Sequence, residues 1–214
     1  MQNQITEGPI LRPLLAFFFP ILRGIFFQPP YNTVDAIIVG NYVGPAALGA
    51  VGGSTAIIIN FLVNLFVGIS SGATVVIAQH YGAQQGEDVY ESVHTAVALA
   101  LAAGGVITIA GILLSGPALR LMDTPEDVMD YAVVYLRVYF CGTVASFVYN
   151  MGASILRAVG DTKHPLYFLM AACLTNIVLD LFFVAVLGLG LFGAALATVI
   201  SQVVSAVLVA ISLL

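Results

Sequence analysis

Residues 166–187 read Leu-Tyr-Phe-Leu-Met-Ala-Ala-Cys-Leu-Thr-Asn-Ile-Val-Leu-Asp-Leu-Phe-Phe-Val-Ala-Val-Leu. An apolar run of this length spans a bilayer as a helix, because about 20 residues at about 1.5 Å each cover the hydrocarbon core. Deep within it sits Asp180, flanked by Val178, Leu179, Leu181 and Phe182. Asn176 lies one helical turn earlier on the same face. A charge at a bilayer centre costs at least about 2.5–3.5 kcal/mol, so Asp180 demands a functional reason.

Five further apolar runs surround this one, at 14–39, 47–79, 89–114, 128–156 and 191–214. They are continuous rather than alternating, which excludes a closed β-barrel. The expected fold is an all-α membrane protein, a bundle of six transmembrane helices forming a single lobe over residues 1–214. Composition agrees: 60% of residues are hydrophobic and 8% are charged, with a mean hydropathy of +1.05. A soluble domain carries about a quarter charged residues.

Glu7 stands where a basic n-region would begin a signal peptide, so the first run is expected to be retained as a span. The net charge of −5 excludes a nucleic-acid partner. Cys141 and Cys173 lack metal-ligand spacing and read as packing residues. Trp is absent, which leaves Tyr and Phe for the interfacial belts.

Short connections fall at 40–45, 81–88, 116–125, 160–165 and 188–190, each carrying Gly or Pro. The Lys/Arg bias of these loops places Arg12, Arg157 and Lys163 inside and only Arg120 outside, with both termini cytoplasmic.

Asp35, Arg23 and Arg137 share the difficulty posed by Asp180, since all lie within spans. The first run holds Pro20 and Pro29-Pro30, expected to bend and interrupt the helix ahead of Asp35. A discontinuous helix beside a membrane carboxylate is how ion-coupled carriers build their sites. A carboxylate and an amide oxygen suit a hard cation, and the same carboxylate serves a proton carrier. Arg137 is a possible partner for a buried Asp, whereas Arg23 lies about 18 Å along an ideal helix from Asp35 and is expected to snorkel.

Other polar residues have blander readings. Thr198, Ser201, Gln202 and Ser205 form a helical stripe, whose commonest role in membranes is interhelical packing. Asn60 and Asn64 form a similar pair, and Asn150 sits in the fourth run. Tyr131, Tyr135 and Tyr139 repeat every four residues, as packing or anchoring residues do. His80, His94 and His164 are too scattered for a metal centre, and no nucleophile–base pair marks an enzyme.

Four stretches carry a family resemblance. They are Tyr-Asn-Thr-Val-Asp at 31–35, Ile-Ala-Gln-His-Tyr-Gly-Ala at 77–83, Leu-Arg-Ala-Val-Gly-Asp-Thr-Lys-His-Pro at 156–165 and Gly-Ala-Ala-Leu-Ala-Thr-Val-Ile-Ser-Gln at 193–202. In them the chain resembles the multidrug and toxic compound extrusion (MATE) transporters. The resemblance implies an exporter of drugs or other small organic compounds, often cationic, driven by Na⁺ or H⁺ and needing no further cofactor. It also implies two six-helix lobes around a pseudo-two-fold axis along the membrane normal, in the inner or plasma membrane.

By the same resemblance the cation site falls on Asp35, Asn176, Asp180 and Thr198. The bending proline of the first helix falls on Pro20, and the fourth helix's polar groups fall on Tyr135 and Asn150. Arg23 and Pro29-Pro30 depart from the family's first helix. Six helices are half its usual complement, so the chain is expected to be a fragment or a half-transporter that pairs with itself or with a separate lobe. Two other readings stand beside this one: a lobe that acts only as an assembly module, and a flippase of related fold for lipid-linked precursors.

Overall fold

The structure, a computed structural model, describes residues 11–213; the side chains of 11–14, 16, 17 and 25–32 lie outside the description. The expectations placed on Glu7, on the Arg12 side chain and on the Tyr31-Asn32 part of the first motif fall outside it as well. The described chain is helical throughout. Its elements are α1 (Leu11–Tyr42), α2 (Pro45–Gly52), α3 (Ser54–Gly82), α4 (Gly86–Leu121), α5 (Glu126–Cys141), α6 (Thr143–Ala158), α7 (Lys163–Asp180), a π-helical segment (Leu181–Val186) and α8 (Gly190–Leu213).

The six expected helices are therefore eight, because two of the apolar runs are broken. The second divides into α2 and α3 at Gly53, whose φ of −85° and ψ of −132° leave the helical region. The fourth divides into α5 and α6 at Gly142, with a 50° bend between them. Hydropathy sums over a window and does not register one residue that leaves the helix. Among the described residues, four stretches are long and apolar enough to cross a membrane: Pro45–Gly82, Gly86–Leu121, Lys163–Val186 and Gly190–Leu213. The bent α5–α6 pair makes a fifth.

Prolines end fewer helices than expected. The α1 backbone is helical through Pro20 and through Pro29-Pro30, and α4 runs past Pro117 to Leu121. Each proline withdraws one donor from the ladder, yet its fixed φ is close to the helical value, so neighbouring turns carry the helix across.

The 156–165 motif serves the chain reversal from α6 to α7. Gly160, at φ +91°, takes the left-handed position. Around it, Gly160 N donates to Arg157 O at 3.0 Å and Asp161 N to Leu156 O at 2.8 Å, which closes a Schellman motif. Asp161 then caps the next helix, its Oδ1 accepting from Lys163 N and His164 N at 3.1 Å each. Asp161 also pairs with the His164 ring.

Helix α8 is the packing centre, touching α1, α5, α6, α7 and the π segment. One apolar cluster joins Val39, Ala47, Leu119, Leu136, Phe140, Leu191 and Ala194. A second joins Phe66, Ile77, Ala100, Phe147, Met151 and Ile155, with the Phe66 and Phe147 rings stacked at 4.4 Å. Outward faces carry large apolar side chains such as Val106, Ile109, Leu113, Leu174 and Val178, all exposed. In a multi-pass membrane protein such exposed apolar side chains face lipid or a further protein segment.

Candidate cation site

Asp35 and Asp180 are the buried carboxylates among the described residues, 9% and 0% exposed. They come from α1 and α7, which pack together, and their carboxyl groups lie close enough to interact. Two carboxylates in contact repel unless a proton or a cation lies between them. Asp35 Oδ1 and Asp180 Oδ1 are both buried and have no donor among the described residues. Orphaned buried oxygens of this kind are rare, and a bound ion or proton is one way to satisfy them.

Asn176 and Thr198 complete the cluster. Asn176 is fully buried and Thr198 is 7% exposed. With the amide oxygen of Asn176 accepting from Thr198 N at 3.2 Å, its Nδ2 donates to Asp180 Oδ2 at 2.8 Å. The opposite amide orientation gives one long bond, Asn176 Nδ2 to Thr198 Oγ1 at 3.4 Å, so the first orientation satisfies more of the group. Thr198 Oγ1 also donates to Ala194 O at 3.1 Å. In this arrangement the amide steadies the carboxylate, and the free acceptors are those of the two aspartates.

The other expected site residues come from α1, α5 and α6. Pro20 is buried on α1, about 22 Å from Asp35 along an ideal helix. Tyr135 is buried on α5, 4% exposed. Asn150 is half-buried, and its Nδ2 donates to Ser146 O at 2.8 Å.

Both arginines of the spans point away. Arg23 and Arg137 are exposed, and Arg137 Nε donates to Ser115 Oγ at 3.3 Å rather than meeting an aspartate. The two carboxylates thus have no protein counter-charge among the described residues. Cys141 departs from its expected burial and is exposed. Its Sγ donates to Arg137 O at 3.4 Å. His80 faces Gln85 and Asp88, and His94 meets Tyr90 O.

Sequence reasoning passed over Gly142 and Thr143. The signal was present in Cys-Gly-Thr, a glycine followed by a β-branched hydroxyl residue in the middle of an apolar run.

The MatE family model matches residues 20–182. A probable multidrug resistance protein of Bacillus subtilis, YpnP, is 33% identical over 197 residues, covering 92% of this chain and 44% of that protein. A second from the same organism, YoeA, is 31% identical over 202 residues, covering 92% of this chain and 43% of its own length. Among solved structures, an outward-facing multidrug resistance MATE family transporter of the MOP superfamily superposes with a TM-score of 0.92 at 29% identity. It covers all of this chain and 47% of its own. The chain spans less than half the length of these relatives. With the model covering well over half of its residues, this chain belongs to the MatE family.

Proposed function

We propose that this chain is one lobe of a cation-coupled antiporter that exports small organic compounds, often cationic, in exchange for Na⁺ or H⁺. The observation that carries the reading is the closeness of Asp35 and Asp180, each with a buried oxygen that no donor among the described residues reaches. The multidrug resistance relatives supply the substrate class. In this reading α1 is the sixth span, both termini are cytoplasmic, and the protein resides in the inner or plasma membrane. A second lobe, from another copy or a separate chain, closes the transport path.

The cycle follows from the electrostatics. A cation entering from outside settles between Asp35 and Asp180, with Thr198 and the amide of Asn176 as neutral neighbours. It removes the repulsion between α1 and α7, so α1 changes its bend at Pro20 and alters its packing against α7. The substrate cavity between the lobes then releases its cargo outward. Such coupling exists only insofar as the ion binds the two conformations with different affinity.

The test is ion-driven efflux from cells or proteoliposomes containing the complete transporter. Asp35→Asn and Asp180→Asn should each lower it by about 100-fold, the upper end of ordinary coupling energies. Normal efflux by either correctly folded variant sinks the site assignment. Isothermal titration with Na⁺ at several pH values separates sodium from proton coupling.

A further inference from the structure

Helices α3 and α4 are joined by the short connection at 83–85, so the last turns of α3 lie beside the first turns of α4. Between them lies a cavity of about 400 Å³. Each helix lines it with one face, at spacings of three and four residues: α3 from Ile69 to His80, and α4 from Asp88 to Leu99. Each strip runs about 16 Å along an ideal helix. Val76 and Leu99 of the lining are exposed, so the cavity is a trough open on the outer face of the lobe. Small residues keep it open. Gly72 and Ala73 sit on the α3 side, and a Cβ added at Gly72 would meet nothing within 4 Å.

The trough is graded from end to end. The two helices run in opposite directions, so its polar groups gather at one end, beside the connection. There Asp88 and Glu91 supply carboxylates, and no Lys or Arg stands among the described residues that line it. His80 Nδ1 lies at the same end, 3.8 Å from Asp88 Oδ2 and 3.1 Å from Gln85 Oε1. Next along α4 come the hydroxyl residues Ser92 and Thr95, and then the apolar Ala96 and Leu99. The α3 strip adds Ile69, Ala73 and Val76 to the apolar part.

This order is that of an amphiphile laid along the helix pair. Carboxylates accept charge-assisted hydrogen bonds from an ammonium, hydroxyls donate to a phosphate, and apolar side chains take a hydrocarbon chain. Glu91 and Thr95 are one turn apart, about 6 Å along the helix, which suits the two-carbon link between ammonium and phosphate in an ethanolamine head group. The head end discriminates between lipids. An anionic head group would meet two carboxylates of its own sign, and a choline head group has no N–H to donate to them. The tail end does not discriminate, because the surrounding lipid is as apolar as the trough.

We propose that the α3–α4 trough binds a phospholipid with a primary-ammonium head group. Its ammonium rests on Asp88 and Glu91, its phosphate on Ser92 and Thr95, and one acyl chain on the apolar strip. The site is separate from the candidate cation site, since neither Asp35 nor Asp180 lines the trough.

The test uses the complete, unmodified transporter in vesicles of equal parts phosphatidylethanolamine, phosphatidylcholine and phosphatidylglycerol. In parallel samples a trace of one of the three carries a photoreactive acyl chain. Cross-links from phosphatidylethanolamine should map to residues 69–77 and 95–99 and exceed those of the other two lipids there by about tenfold, the effect of one charge-assisted hydrogen bond. Equal labelling by all three, or labelling spread evenly over the outer helix faces, overturns the inference. So does an unlabelled trough, which a protein segment then covers. Free phosphoethanolamine at millimolar concentration should not compete, because the bilayer holds the lipid beside the trough at high effective concentration. Competition by it overturns a lipid source, and displacement of the label by tetraphenylphosphonium assigns the trough to organic cations instead. The double variant Asp88→Asn, Glu91→Gln, with an unchanged unfolding midpoint, should abolish the tenfold preference; a preference that survives overturns the carboxylate assignment.

Discussion

Helices α4 and α8 are almost equally apolar over their most apolar windows, yet they differ in how deeply they are buried. In α4 17% of that window is buried, and in α8 44%. Large side chains crowd the outer face of α4, with Leu99, Leu101, Val106, Ile109, Leu113 and Leu114 all exposed. In contrast, α8 buries small and polar residues: Gly193, Ala194, Ala195, Ala197, Thr198, Ser201 and Ser205. Lipid tails are as apolar as leucine, so hydropathy does not draw a helix inward. Small residues do, because they let backbones approach closely, and polar residues do, because they find partners only inside. The hydroxyl groups of α8 bond within their own helix, Ser201 Oγ to Thr198 O and Ser205 Oγ to Gln202 O at 2.8 Å each, so they add little bulk or polarity where neighbouring helices approach.

The sharpest way to break this contrast is a matched enlargement. Ala197 of α8 is fully buried, while Ala102 of α4 is exposed. Ala197→Leu should destabilise the lobe by about 3 kcal/mol, as overpacking of a tight core does, seen as a lowered unfolding midpoint in detergent. An effect below about 0.5 kcal/mol, the range for surface changes, would show that α8 is not the tight centre described here.

The next test asks whether α4 is as tightly packed on its inner side. A Cβ on Gly111 would fall 2.1 Å from Cδ1 of the Phe140 ring, which is itself 5% exposed. Gly111→Ala should therefore cost about 1–3 kcal/mol, even though alanine is the better helix former. A stabilised variant would mean that the ring moves freely.

The smallest effects belong to the outer face. Ala102→Leu and Leu113→Ala should each stay within about 0.5 kcal/mol by the same unfolding measurement. A larger loss at Leu113, 69% exposed in the lobe alone, would place a protein partner rather than lipid against that face.

The comparison also explains what was legible in advance. The apolar runs were readable because a membrane span is a local property, a sum over about 20 neighbouring residues. Asp35, Asn176 and Asp180 were visible for the same reason, as polar exceptions inside those sums. The division of two runs at Gly53 and Gly142 was not, since one residue scarcely changes a window average. Nor was the fate of Arg137, whose bond to Ser115 joins α5 to α4 and depends on which helix happens to lie beside it.

By itself, then, the sequence determined that this chain lives in a bilayer, roughly where it crosses, and which side chains lipid would not accept. Each of these follows from transfer free energies that depend on one segment at a time. Only the tertiary structure decided that Asp35 and Asp180 meet, that Asn176 turns its amide toward a carboxylate, and that Gln202 packs against Gly142 at the α5–α6 break. The first and last of those contacts join helices far apart in the chain. What selects them is the close approach of backbones at small residues, which no single helix specifies alone.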